Sequence, residues 1–157
     1  MKACTSTSLV LMCLLLNLCV GSATAQKPVG FDRSTLSIET TMGRHDFKVE
    51  LARTPDQLAF GLMFRAKLAP DAGMLFDYGK PQLVAMWMKN TLIPLDMLFI
   101  DGSGQIVTIA ERTVPQSLKS ISSRVLVRAV LEVNGGTVSR LKLKRGDIVL
   151  HPIFKDR

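Results

Sequence analysis

Between residues 34 and 151 the chain is cut into short apolar runs by turn residues, and one segment alone carries a helical period. Ser34–Thr40 and His45–Leu51 alternate apolar and polar side chains, with Phe47, Val49 and Leu51 on one face. Thr41-Met42-Gly43-Arg44 between them supplies a glycine for a turn, so the pair reads as a hairpin. At Thr54-Pro55-Asp56-Gln57 the period changes: a capping hydroxyl, a proline at the first helical position and a Gln three residues after the cap mark a helix start. Leu58 with Leu62 and Phe60 with Phe64 follow at four-residue spacing, which predicts a helix over 55–64. Met74–Phe76, Leu83–Met88, Met97–Ile100, Gln105–Ala110, Val125–Val133 and Ile148–His151 read as further strands. Leu83–Met88 is apolar on both faces, the pattern of a strand covered on both sides. Asp101-Gly102-Ser103-Gly104 is a hairpin turn, and Thr137 can cap one short helical turn after Asn134-Gly135-Gly136. About seven strands against one clear helix predict a mainly β fold, a sandwich or a barrel-like sheet.

What can hold such a fold together depends on where the cysteines fall. Cys4, Cys13 and Cys19 all lie in a segment with Lys2 at its start, an apolar block over residues 9–20 and Ala23-Thr24-Ala25 at its end. A block of twelve residues is too short to span a bilayer, which takes about 20. The three parts read as a cleaved secretory leader over residues 1–25, and part of the mean hydropathy of +0.24 belongs to it. The rival reading, acylation at Cys19, meets Leu18 where a small residue is preferred. Cleavage after Ala25 leaves 132 residues: a loose polar lead-in over 26–33, then one domain over 34–157. That product has no thiol, which excludes disulfides, a thiolate nucleophile and zinc–thiolate or iron–sulfur sites. A chain of this length buries roughly two thirds of its surface, enough for a core without staples.

Charge is uneven along the chain. Residues 26–111 hold nine Lys/Arg against ten Asp/Glu, and residues 112–157 hold ten against three. The basic last third is either a solvated face or a surface for anionic envelope partners. Aromatic residues are not interleaved with the basic ones, so nucleic acid is not expected as a partner.

The densest pattern is Met86–Asp101, MWMKNTLIPLDMLFID, in which Lys89-Asn90-Thr91 interrupts two apolar runs. With GLMFR at Gly61–Arg65, GMLF at Gly73–Phe76, AVLEVNGGTV from Ala129 and GDIV at Gly146–Val149, it resembles the family called domain of unknown function 192. The resemblance covers about Val49–His151. It implies a β-sandwich-like fold in a bacterial and archaeal family whose members are often exported, and it implies no reaction. Met86 departs from the aromatic residue that the family tends to carry before the tryptophan.

Arg65 and Asp96 each sit at the edge of an apolar run, where an unpaired charge costs several kcal/mol. Either they bridge each other, or Arg65 offers its fork to a ligand carboxylate or phosphate, with Lys89, Asn90 and Thr91 adding contacts and Trp87 a wall. Glu132, between Leu131 and Val133, points away from both in a strand; it is exposed, or it lines a cleft. Met86 and Met88 share a strand face and could hold Cu(I), although methionines beside Leu, Phe and Trp are ordinarily core. No cofactor is expected. His45 and His151 lack a partner at a fixed catalytic spacing. The preferred reading is an exported module that binds a small polar or anionic ligand or an envelope partner. The alternatives are a polysaccharide-acting enzyme with paired carboxylates, and a scaffold protein. Mass spectrometry of the exported protein should find Gln26 at its N-terminus; an intact leader or an acylated Cys19 would contradict the reading of residues 1–25.

Overall fold

The computed structural model describes residues 29–154. The leader over 1–25 and the first residues of the lead-in lie outside them. Among the described residues, nine strands, two short α-helices and one 3-10 turn make the fold mostly β. β1 (Asp32–Thr40) and β2 (Gly43–Ala52) form the expected hairpin, closed at Thr40 and Gly43 around Thr41 and Met42. The sheet therefore begins at Asp32, two residues inside the lead-in. α1 (Pro55–Phe60) carries the chain across to β3 (Ala72–Gln82), which pairs with β2 in parallel. β4 (Ala85–Met86) leaves the sheet. β5 (Leu95–Ile100) and β6 (Ile106–Thr113) return to it as a hairpin. After β7 (Ile121–Ser122), which pairs with β4, β8 (Val127–Asn134) inserts between β3 and β5. α2 (Thr137–Leu141) then leads to β9 (Ile148–Leu150) beside β1. The seven-stranded order is β6-β5-β8-β3-β2-β1-β9.

This sheet curls until its edges meet. Gln105 pairs with Ile148, and the Ile106 and Val149 amides donate to Asp147 and Gly104 carbonyls at 2.9 and 2.7 Å. The contact gives the edge strands partners that an open sheet would leave exposed. It also demands glycine at 104: φ is +88°, and a Cβ there would stand 2.7 Å from the Val149 oxygen.

Curling gives the sheet an inner and an outer core. Leu36, Ile38, Phe47, Leu75, Leu98 and Leu131 fill the inside, and Val138 of α2 closes one end. Met74, Phe76, Met88, Met97, Phe99 and Val130 form the outer layer. The strand covered on both faces is β5, where every residue is buried. The run Leu83–Met88 is not. Val84, Met86 and Met88 point in, whereas Leu83, Ala85 and Trp87 are exposed, because this stretch lies over the outer core as a cover. Its outward apolar residues face solvent.

The helix is shorter than its period suggested. The Thr54–Gln57 capping box is present, but α1 stops at Phe60 and residues 61–64 turn away. Gly61, at φ 50° and ψ −135°, ends it in a conformation that favours glycine, and a Cβ there would touch the Phe76 ring at 3.0 Å.

Candidate functional site

Glu132 lies near the middle of β8, paired across the ladder with Met74 on one side and Met97 on the other. As strand parity requires, its side chain points away from Leu131 and Val133, onto the outer face. There α1 and the Met86–Thr91 stretch cover it, and 4 % of the residue remains accessible. The carboxyl ends in a slot walled by Leu62, Met63, Phe76, Met86, Trp87 and Thr91. The enclosed space is about 20 Å³, room for one water-sized group. Among the described residues Glu132 has no hydrogen-bond or ion-pair partner, and it is the one carboxylate that lines the slot. A pair of carboxylates is not assembled there.

Burial without a partner disfavours the charged form, and the Glu132 pKa is pushed up to about 8. Tyr78 follows the same logic. Its hydroxyl is raised first by burial and second by the Glu132 charge, and it donates to Met86 Sδ at 3.2 Å.

The other candidates are dispersed. Arg65 and Asp96 do not bridge each other. Arg65 forks onto Glu50 of β2, Nη1 to Oε1 at 2.9 Å and Nη2 to Oε2 at 2.5 Å, and its guanidinium lies 5.9 Å from the Phe31 ring centre. This bond holds the Glu50 carboxyl below its usual value and raises Arg65. Both Arg65 arms are thus engaged within the protein. Asp96, fully buried, accepts three backbone N–H groups: Arg112 at 2.7 Å, Gly136 at 2.9 Å and Val138 at 2.8 Å. Its carboxylate thereby caps α2, the part first read as belonging to Thr137.

Lys89 sits 5.1 Å over the Trp87 ring. Asn90 adopts φ 55° and its carbonyl accepts the Phe64 amide at 2.8 Å, which ties the slot's cover to the end of α1. Thr91 is buried beside the slot. Met86 accepts from Tyr78 and Met88 from Thr113, and both sulfurs lie in the outer core. No group of three or more His, Cys, Asp or Glu side chains that could hold a metal occurs among the described residues. The structure thus joins Trp87, Thr91 and Glu132 in one slot and sends Arg65 and Asp96 elsewhere.

A family model described as Uncharacterized ACR, domain of unknown function 192, matches residues 37–151. The chain belongs to that family. A solved structure of a candidate transcription regulator from Sinorhizobium meliloti 1021 is 49% identical with a TM-score of 0.76, covering 78% of this chain and 96% of that one. A protein of unknown function from Novosphingobium aromaticivorans DSM 12444 is 36% identical with a TM-score of 0.74, covering 83% and 99%. No curated protein matches the chain.

Two partners in this domain of unknown function 192 chain were not foreseen from sequence. Glu50 has the opposite strand parity to Val49 and Leu51, a signal that it leaves the inner core but none that it meets Arg65. Tyr78 follows Asp77 and precedes Gly79, and no pattern there marks it. The Glu132 environment has a measurable sign. An acid whose pKa rises on folding from 4.5 to about 8 holds, in the folded state, a proton that the unfolded chain has already lost. Stability should therefore fall as pH rises from about 5 to 8, and the loss should be complete above that window. Urea unfolding at pH 5.5 and 8.5 should show the decline. Glu132→Gln, which stays neutral, should flatten it and exceed the parent at pH 8.5 by roughly 3 to 5 kcal/mol. Equal slopes in the two proteins would contradict this assignment.

Proposed function

We propose that this chain is a small exported binding module whose ligand, or a side chain of whose partner, sets one amine against the Glu132 carboxyl. The observation that carries the reading is a carboxyl 4 % accessible, without a protein partner, at the end of a slot with room for one polar group. A charge kept out of water is stabilised by an opposite charge with hydrogen bonds, and an ammonium group supplies both. The walls favour an apolar stem behind it: Leu62, Phe76 and Met86 are buried, and Trp87, 48 % exposed, stands at the mouth. Export rests on the leader features of residues 1–25.

Seating a cation makes Glu132 ionise, so at pH 6.5 each binding event should release close to one proton. Calorimetric titration of the protein with n-butylamine, in two buffers of different ionisation enthalpy, reads that release directly. The expected result is binding that strengthens roughly 50- to 100-fold from pH 5.5 to 7.5 and is lost in Glu132→Gln, with n-butanol far weaker. Equal binding of n-butylamine to parent and Glu132→Gln would overturn the proposal, as would no binding at pH 7.5.

A further inference from the structure

We infer that a second site, separate from the Glu132 slot, takes a ligand through its phosphate group, in the cleft between β6, the 114–126 segment and the turn before β9. Four cationic side chains from separate stretches of chain line this cleft: Arg112 at the end of β6, Lys119 before β7, Arg124 between β7 and β8, and Arg145 ahead of β9. Its volume is about 640 Å³, within the range of small-ligand sites. The cleft also holds one carboxylate, Glu111, so its lining carries a net +3 (four cations less one anion).

The four cations of this cleft are among the ten Lys and Arg of the described residues that pair with no carboxylate; six others are paired. Arg44, Lys48, Arg53, Arg65, Arg128 and Lys144 each lie within 3.6 Å of a carboxylate oxygen. Among the described residues, none of Arg112, Lys119, Arg124 and Arg145 forms such a pair. All four residues are exposed and line the concavity without a paired carboxylate, and the Arg112 guanidinium reaches toward Gly136 at the neighbouring hollow. Such a lining raises the local anion concentration and offers forked and single-point donors to an oxyanion.

The backbone around the cleft is also constrained. Of six non-glycine residues with positive φ, three are here: Arg112 at 47°, Gln116 at 59° and Arg124 at 62°. Asp96 holds the Arg112 amide at 2.7 Å, and Ser122 accepts the Arg124 amide at 3.2 Å. The backbone at both arginines is therefore held in place. Ser117, Ser120 and Ser122 add hydroxyls to the lining, which suits a phosphate more than a bare carboxylate. The uneven charge of the sequence acquires a location: the four cations all belong to the basic stretch after residue 111.

Calorimetric titration of the protein with inorganic pyrophosphate in 150 mM NaCl tests the site. The expected result is a dissociation constant below about 1 mM, weakened about tenfold or more in Lys119→Ala/Arg124→Ala. Arg140→Ala/Lys142→Ala removes the same charge outside the cleft and should change binding less than about twofold. Glu132→Gln should bind as the parent does, which separates failure here from failure of the amine slot. Flotation with phosphatidylglycerol vesicles distinguishes the sources of the phosphate. Association that pyrophosphate competes away identifies a lipid headgroup, and pyrophosphate binding without association identifies a soluble phosphate ester. No pyrophosphate binding at about 10 mM would overturn the inference. So would equal weakening in the two double variants, which is non-specific charge attraction, or binding of duplex DNA without pyrophosphate binding.

Discussion

A carboxyl group enclosed by Met74, Phe76, Met86 and Met97 cannot keep its charge without a partner, and this constraint organises the outer layer of the molecule. In water Glu132 would ionise freely. Under the cover of α1 and the Met86–Thr91 stretch it holds its proton to about pH 8 instead. A leucine at this position would leave no unpartnered polar group in the outer layer. The acid therefore trades stability at neutral pH and above for a polar group facing a slot, the kind of local conflict that marks a site of binding.

The rest of the fold keeps that slot in place. β8 is held on both sides by antiparallel ladders to β3 and β5, so Glu132 cannot slip without moving six paired residues on the β5 side. Asp96 ties β5, Arg112 and the start of α2 together through three backbone amides, fixing the closed end of the curled sheet. Arg65 and Glu50 join the segment after α1 to β2, with side chains 29% and 24% exposed. At that exposure the pair is screened only in part, and it serves as a clamp between cover and sheet. The slot thus sits between two rigid layers. The cleft around Arg112 lies beyond β6, and none of its lining residues lines the slot.

What was legible in the sequence was local. The β1–β2 turn, the Thr54–Gln57 box and the Asp101–Gly104 hairpin all involve residues within four positions of one another, and each stands where it was read. The end of α1 was not legible, because Phe60 and Phe64 continue the helical spacing while the chain turns at Gly61, where a Cβ would crowd the Phe76 ring. Leu83–Met88 was placed inside the sheet because composition alone does not separate a doubly covered strand from a cover with an apolar outer side; β5 takes the inner place. For Asp96 and Arg65 the need for partners was readable, the partners were not. One turned out to be backbone around 16 to 42 positions away and the other a carboxylate on β2. Glu132 was half legible: parity gave its direction, and only the folded cover decided that it lines a slot.

The central claim is that Glu132 is a buried acid whose proton leaves near pH 8. Titration of its side-chain carboxyl carbon by ¹³C NMR in the intact protein tests this most directly, with the resonance assigned by its absence from Glu132→Gln. A midpoint near 8, well above the ordinary 4.5, is the predicted result. A midpoint close to 4.5 would mean that the carboxyl is solvated or paired in solution, and would contradict the account.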